Sequence, residues 1–249
     1  GAAGRKVAML HPAMGSWQYG YNAFGELVWQ RDSLGQATSM AYDALGRMVQ
    51  RTEADLVSRW SFDRKFDGTP CGKGIGKLCE ATADNGYRRI HAYDALGRPS
   101  STATVLDDPA QPATVSVTYE AATGRLASKS WPTGYRATYQ YTATGFLKKV
   151  TGGGAGAFAQ AVTFEVMAMD AKGHVTQYRQ GANVTTVRSY DEATGRLKAI
   201  TASRSGFAAG GVLAHAYTYD TLGNLTARAD HSPGVGTQES FGYDTLNRL

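Results

Sequence analysis

Aspartate recurs at one position of a short motif, and carboxylates are among the side chains that enzymes use for acid–base hydrolysis. The hexapeptide Tyr-Asp-Ala-Leu-Gly-Arg occurs at residues 42–47 and again at 93–98, and further copies of the motif place Asp191, Asp220 and Asp244 at the same point. A carboxylate that returns at one turn position along the whole chain favours a structural role over a catalytic one. The sequence therefore predicts no catalytic residue, and we expect that the chain is not an enzyme.

Two glycine-rich stretches resemble nucleotide-binding loops. Residues 71–78 read CGKGIGKL, but a phosphate-binding loop needs Ser or Thr after the Gly-Lys pair so that a hydroxyl can bind Mg²⁺, and Leu78 stands there instead. Residues 152–156 read GGGAG, and no helical pattern follows them. Both stretches are typical of turns and loops, so we expect no cofactor.

Histidine and cysteine supply most protein metal sites. The five histidines lie far apart without the spacing of a metal site, at His11, His91, His174, His215 and His231. The only cysteines, Cys71 and Cys79, are too few for a structural zinc site. They form either a disulfide in an oxidising compartment or free thiols in a reducing cytoplasm, and the sequence leaves both open. We expect no metal.

The composition favours strands joined by many turns. The 249 residues include 30 Gly, 14 Tyr and 7 Pro, and only 19% are charged. The formal net charge is +5 with a pI of about 9.1, but the basic residues are scattered in runs no longer than Lys148-Lys149, which indicates a solvated surface rather than nucleic-acid binding. No apolar run approaches the ~18 residues of a membrane-spanning helix.

The element that positions the aspartates is a repeat. The motif reads aromatic, Asp, a short gap, Gly, a variable and often basic residue, and then an apolar residue, and it recurs along the chain with drift, as in YNAFGEL (21–27) and MDAKGHV (169–175). Ten copies close at residues 25, 46, 76, 97, 124, 145, 173, 195, 223 and 247, with a base period of about 21. One copy is stretched: we expect Phe66-Asp67 to open it and Gly76-Lys77-Leu78 to close it.

The residue types predict a hairpin turn. A three-residue loop of this kind ends on a left-handed residue that forms a bulge, and Gly46 meets that need. Asp43 can accept the backbone amide two residues on. The loop places Tyr42 opposite Met48 and Asp43 opposite Arg47, which gives one aromatic–aliphatic pair and one acid–base pair.

The longer copies are expected to keep this pairing. Asp191 then faces Arg196, and in the stretched copy Asp67 faces Lys77. At 247 Asn replaces Gly, and Asn tolerates the left-handed conformation.

Alternating stretches between the turns predict strands, as in Tyr135–Tyr141. Midway between the motifs lie the turns of the opposite edge, so each period holds two strands. The insertions fall mostly on that second edge, at 106–114, 151–158, 204–212 and 231–238. We predict a single all-β domain over 1–249 with about twenty antiparallel strands.

The repeats resemble the YD repeats of the Rhs family of bacterial polymorphic toxins, which are related to the C component of insecticidal toxin complexes, WapA-like wall proteins and teneurins. The resemblance covers residues 17–249. It implies an antiparallel β-hairpin array that spirals into a hollow shell around a C-terminal toxin domain. The Asp-Pro-x-Gly-type cleavage motif of the family has no match at DDPA (107–110) or HSPG (231–234). We therefore expect a segment of a longer repeat region.

The resemblance also implies a function. It points to a structural scaffold of an exported toxin, secreted or at the cell surface and assembled in the cytoplasm, with the toxin domain, the remaining shell and secretion machinery as partners. The alternative is a cell-surface module that binds glycan or protein. We further expect self-association through an unpaired strand edge near Tyr243–Leu249.

Overall fold

The computed structural model describes residues 4–106, 110–154, 161–181, 183–206 and 208–249. These residues form twenty β-strands joined by turns, with no helix among them, which confirms the predicted all-β repeat array. The described residues accordingly contain no helix able to cross a membrane. The chain divides into two compact units, Gly1–Thr118 and Tyr119–Leu249. The single domain over 1–249 stays a prediction.

The first unit is an antiparallel meander in which each strand pairs with the next along the chain. Its strands are β1 (Ala8–His11), β2 (Gly15–Tyr21), β3 (Leu27–Arg31), β4 (Ala37–Tyr42), β5 (Met48–Thr52), β6 (Val57–Phe62), β7 (Leu78–Ala83), β8 (Arg88–Tyr93), β9 (Pro99–Val105) and β10 (Ala113–Tyr119), the last of which ends one residue beyond the unit.

The second unit repeats this arrangement. Its strands are β11 (Leu126–Ser130), β12 (Arg136–Tyr141), β13 (Leu147–Gly153), β14 (Ala161–Met169), β15 (Val175–Gln180), β16 (Val184–Tyr190), β17 (Leu197–Arg204), β18 (Leu213–Tyr219), β19 (Leu225–Asp230) and β20 (Thr237–Ser240).

Each unit is a single layer. Within the described part of the chain, every strand contacts only its neighbours in sequence, so no second layer covers either face. Few side chains are fully buried, among them Cys79, Glu80, Val105 and Ala137. Strand ladders and cross-strand pairs therefore carry the stability, as in other proteins built from stacked repeats.

The turn chemistry matches the sequence expectation. All ten closing residues, nine Gly and Asn247, have positive φ, between 57° at Asn247 and 103° at Gly223. Tyr42 pairs with Met48, and the ladder shifts register between Ala41 and Tyr42. This shift is the predicted bulge.

The stretched copy differs from the prediction. Phe62, not Phe66, pairs with Leu78, and the amide of Asp63, not Asp67, donates to Lys77 O at 2.9 Å. The sequence contains two Phe-Asp pairs, and only the first continues β6 in register. The remaining residues of the turn, 64–76, form an inserted segment within it.

At the opposite edge, midway between the motifs, the short connections are turns that also close on a glycine with positive φ. Gly35 and Gly86 have φ of 82° and 92° and close turns at 32–36 and 83–87. The longer loops predicted at 106–114, 151–158 and 204–212, and the turn at 179–183, lie partly outside the described residues.

Candidate functional site

The ten motif turns define the feature we call the turn edge: residues 22–26, 43–47, 63–77 and 94–98 in the first unit, and 120–125, 142–146, 170–174, 191–196, 220–224 and 244–248 in the second. Asp43 shows how a turn is held. Its Oδ1 accepts the amides of Leu45 at 2.9 Å and Arg47 at 3.0 Å, and its Oδ2 accepts Arg47 Nε at 2.7 Å. The turns opened by Asp94 and Asp244 repeat these contacts, which confirms the predicted acid–base pair.

The longer loop at 191–196 does not form this side-chain pair. The amide of Asp191 donates to Arg196 O at 2.8 Å, as expected for the backbone. The Asp191 carboxylate, however, accepts the amide and hydroxyl of Thr194, both at 2.8 Å, and the Arg196 guanidinium donates to Asp220 O at 2.9 Å. The predicted pairing of the Asp191 and Arg196 side chains is wrong. In this longer loop the Thr194 hydroxyl and amide occupy the Asp191 carboxylate, and the Arg196 side chain bonds to Asp220 instead.

The motif tyrosines perform a role that the sequence analysis missed. In five repeats the tyrosine hydroxyl donates to the backbone carbonyl of the residue directly after the preceding motif turn, so it links one repeat to the one before it. In the first repeat Tyr21 donates to Lys6, which lies before the first motif turn. These bonds are Tyr21 to Lys6 (2.9 Å), Tyr42 to Leu27 (2.9 Å), Tyr93 to Leu78 (2.7 Å), Tyr141 to Leu126 (2.9 Å), Tyr190 to Val175 (3.5 Å) and Tyr243 to Leu225 (3.1 Å). In these repeats the hydroxyl makes a bond that Phe could not make.

Removing one such hydroxyl tests its contribution. Tyr42→Phe leaves the Leu27 carbonyl without this donor, and we expect the free energy of unfolding to fall by about 1 kcal/mol in urea titrations. Tyr139→Phe is the matched control, because the Tyr139 hydroxyl has no hydrogen-bond partner within the described ranges. Equal losses in the two variants would contradict the role of the hydroxyl.

Basic side chains form a second link between repeats. The residue that follows the turn glycine reaches the aromatic ring of the next motif, with Arg47 4.5 Å from the centroid of Phe62, Lys77 5.4 Å from Tyr93, Arg125 5.5 Å from Tyr141 and Arg196 5.8 Å from Tyr219. His174 stacks on Tyr190 with centroids 4.5 Å apart. Each exposed contact contributes roughly 0.5–1 kcal/mol.

Arg47 joins two motifs most fully. Besides Asp43, its guanidinium contacts both carboxylate oxygens of Asp63 in the next motif, at 3.2 and 2.8 Å. The Arg47 side chain and the Gly76 amide together hold the pKa of Asp63 below its ordinary value, against the opposing effect of desolvation. Charge-assisted contacts of Arg47 thus join the second motif turn to the third.

The inserted segment at 64–76 is anchored by a disulfide. Cys71 and Cys79 are bonded and buried, with Cα atoms 5.7 Å apart, so of the two alternatives left by the sequence the structure has the bridge. Cys71 O accepts the Tyr93 amide at 2.8 Å. The buried Glu80 accepts the Phe66 amide at 2.9 Å and Arg88 Nε at 2.6 Å. The CGKGIGKL stretch therefore ties two repeats together, as part of this structural turn.

Two of the histidines pair with aspartates. His174 Nδ1 lies 2.7 Å from Asp170, and His215 Nε2 lies 3.1 Å from Asp230. No group of three or more metal-binding side chains occurs among the residues that were described. Gly152 and Gly153 end β13, and residues 155 and 156 of the GGGAG stretch lie outside the described ranges. The absence of catalytic, cofactor and metal residues stays a prediction.

The turn carboxylates predict a pH dependence. The Arg47 amide, together with the Arg47 side chain and the Leu45 amide, holds the pKa of Asp43 below its ordinary value, against the opposing effect of desolvation. A depressed folded-state pKa stabilises the fold above about pH 4 and loses that contribution as the pH falls further. We expect Asp43→Asn to lower Tm at pH 7, and we expect this difference from the wild type to shrink as the pH falls below about 4 and the carboxylate takes up a proton. A Tm difference that is unchanged by pH would contradict this.

Comparisons with known proteins agree with this geometry. The RHS Repeat family model matches residues 21–56. No curated protein matches the chain. Among solved structures, the chain is similar to TcdB2-TccC3-Cdc42 (17% identity, TM-score 0.79, 99% of this chain), to TcdB2-TccC3 (16%, 0.79, 98%) and to the Photorhabdus luminescens Tc holotoxin pore (15%, 0.76, 99%).

The chain spans about 13% of the length of those structures. At these identities the similarity shows a shared fold. Together with the RHS repeat and the ten motif turns, it confirms the resemblance to the Rhs/YD-repeat family.

Proposed function

We propose that this chain of Rhs/YD repeats is a scaffold segment of a polymorphic toxin, forming part of a β-shell that encloses and protects a C-terminal toxin domain before delivery. The observation that carries the proposal is the single-layer array of strands. Over 98–99% of its length this chain aligns with part of the matched toxin-complex structures, and the aligned part is 13% of each of those chains. A sheet without a second layer suits a wall between two compartments.

The links between repeats suit a wall that must stay closed. Each motif turn is held by its own backbone and side-chain bonds, and hydroxyl bonds and cation–ring contacts join successive motifs. The side chains in these links bond to one another. The turn edge therefore serves as a scaffold and performs no chemistry of its own.

The partners in this proposal are the toxin domain, the remaining shell of the same protein and secretion machinery. The disulfide between Cys71 and Cys79 supports a secreted or cell-surface location, because such bonds persist in oxidising compartments. If the shell is assembled in the cytoplasm, the bond forms after export.

The second candidate is a cell-surface module that binds glycan or protein. A cavity of about 410 Å³ on the second unit favours it, lined by His215, Arg228, Asp230, Thr237 and Glu239. These side chains already pair across strands, with His215 on Asp230 and Arg228 on Glu239, and this pairing makes the scaffold the better supported function.

Imaging the complete gene product tests the proposal. Single-particle electron microscopy is expected to show a closed shell with density inside it. An open, extended array that retains glycan on a glycan array would support the surface module instead.

A further inference from the structure

Successive hairpins of the first unit are joined less completely at the turn edge than at the opposite edge. The ladder between β3 and β4 stops at the pair Trp29–Ser39, and the ladder between β5 and β6 stops at Gln50–Arg59. The ladder between β7 and β8 stops at Glu80–Ile90, so Leu78 and Cys79 have no ladder partner on β8. A gap in the backbone pairing therefore remains between these two hairpins near the turn edge.

Residues 71–74 of the inserted segment span this gap, and we call them the strap. Cys71 is bonded to Cys79 of β7, and the Cys71 carbonyl accepts the Tyr93 amide of β8 at 2.8 Å. Gly72 pairs with Tyr93 in an isolated parallel bridge. The strap is thus attached to β7 by a covalent bond and to β8 by a short bridge, at the point where the ladder between the two strands has ended.

The close fit of the strap depends on glycine. A Cβ added at Gly72 would overlap the Tyr93 carbonyl oxygen, and one added at Gly74 would overlap the Cys71 sulfur and lie 3.2 Å from the Tyr93 ring. The backbone of the strap therefore packs directly against β8 and the disulfide. Because glycine loses more conformational freedom on ordering than any other residue, this segment is also entropically costly to hold in place.

The disulfide is what holds the strap in the gap. A bridge of a single residue pair offsets only part of the conformational entropy that the strap loses when it is ordered. The flanks of the strap have separate anchors, since the Phe66 amide donates to Glu80 at 2.9 Å and the Gly76 amide donates to Asp63 at 2.5 Å. Loss of the disulfide therefore frees the strap while its flanks stay attached.

We propose that the bond between Cys71 and Cys79 is a redox-sensitive site whose reduction releases the strap from β8 while the strands on both sides stay folded. A dithiol reductant supplies the two electrons. One of its thiolates attacks a sulfur of the bond and forms a mixed disulfide, and its second thiol then displaces the remaining cysteine. Two protons pass to the sulfurs of Cys71 and Cys79, and the reductant leaves as a cyclic disulfide.

The sulfurs can be reached without unfolding a strand. Cys71 and Cys79 are buried, at 3% and 0% exposure, but part of their cover is the strap itself, because a Cβ added at Gly74 meets both sulfurs. Lys73 beside it is exposed, and within the described part of the first unit no second layer lies over β7 or β8. Opening of the strap alone therefore admits a small reductant, and local openings of this kind need much less free energy than global unfolding.

The compartment then sets the state of the strap. Disulfides persist in oxidising compartments and are reduced in the cytoplasm. The strap is therefore closed in an exported protein and opens in a reducing cytoplasm, which loosens the sheet between the third and fourth motif hairpins. Release of the strap is a property of this chain alone, whereas its use to open a shell rests on the proposed function.

Limited trypsin digestion of the folded chain, with and without the dithiol dithiothreitol, tests the site. Cleavage after Lys73 in the strap is expected to be at least roughly tenfold faster once the bond is reduced, because the protease acts on the locally opened segment. Lys172, in the motif turn at 170–174, is the internal control, and its cleavage rate should not change. Far-UV circular dichroism should also stay unchanged, and reoxidation should restore the protection at Lys73.

The variant Cys71→Ala/Cys79→Ala gives a second readout, since its cleavage after Lys73 should be fast without reductant and unaffected by it. Slow cleavage after Lys73 in a wild type that thiol titration shows to be fully reduced would overturn the proposal, because other contacts would then hold the strap. Equal acceleration at Lys172 would overturn it as well, as would a bond that resists the dithiol until the chain unfolds. These outcomes involve no cargo, so a failure of the scaffold function would leave them unchanged.

Discussion

Replacing both cysteines, as Cys71→Ala/Cys79→Ala, is expected to lower the free energy of unfolding by about 2–3 kcal/mol. The bond spans a sequence separation of 8, and closing a loop of that size restricts the unfolded chain by roughly this amount. The bond also fixes the segment whose Cys71 carbonyl accepts the Tyr93 amide, so its loss loosens the contact between two repeats. Urea titrations of the oxidised wild type and of the variant measure the difference.

A dithiol reductant supplies the control. Two electrons from the dithiol convert the disulfide to two thiols, and the reduced wild type should then unfold near the variant's midpoint. The variant itself should not respond to the reductant. A wild type whose unfolding is insensitive to reduction would show that the bridge does not stabilise this unit.

Gly97→Val is the second large change, with an expected loss of about 2 kcal/mol. Gly97 has a φ of 75°, where a β-branched side chain is strained, and an added Cβ would lie 3.3 Å from the backbone carbonyl of Lys73. Gly97→Asn should cost much less, since Asn247 occupies the equivalent turn position with a φ of 57°. Thermal unfolding followed by circular dichroism compares the two variants.

Gly76→Val measures the effect of backbone strain without a steric clash of the new side chain. Its φ is 79° and no atom lies within 4 Å of an added Cβ, so only the backbone strain remains. Gly46→Val is intermediate, because the nearest atom, 2.9 Å away, is the flexible carboxylate of Glu26. Equal melting temperatures for Gly97→Val and Gly97→Asn would show that the left-handed conformation is not what selects glycine.

The turns were predictable because their chemistry is local. A single glycine such as Gly46 would say little by itself, since glycine is common in turns of every kind. Gly46 in combination with Asp43 and Arg47 specifies one loop, because the three residues supply the left-handed bulge, the amide acceptor and the paired charge of the same hairpin.

The contacts between repeats were harder to predict from the sequence. A hydroxyl bond such as Tyr42 to Leu27 joins residues 15 apart on different hairpins, and it depends on how neighbouring hairpins twist. The recurring spacing of 15 between an apolar closing residue and the next tyrosine was the available signal. Which of the two Phe-Asp pairs opens the stretched turn depended on the register of β6, which the sequence does not show. That the Thr194 hydroxyl, and not Arg196, bonds to Asp191 depended on the conformation of the longer loop. The same local pattern therefore gave correct turns and an incorrect partner.

Protease protection in the complete gene product tests the central claim most directly. The claim is that these repeats wall off a C-terminal domain. Limited proteolysis followed by mass spectrometry should find that this domain is cleaved at least roughly tenfold more slowly within the intact protein than when it is expressed alone, since cleavage then requires the shell to open. Equal cleavage rates for the enclosed and isolated domain would contradict the account.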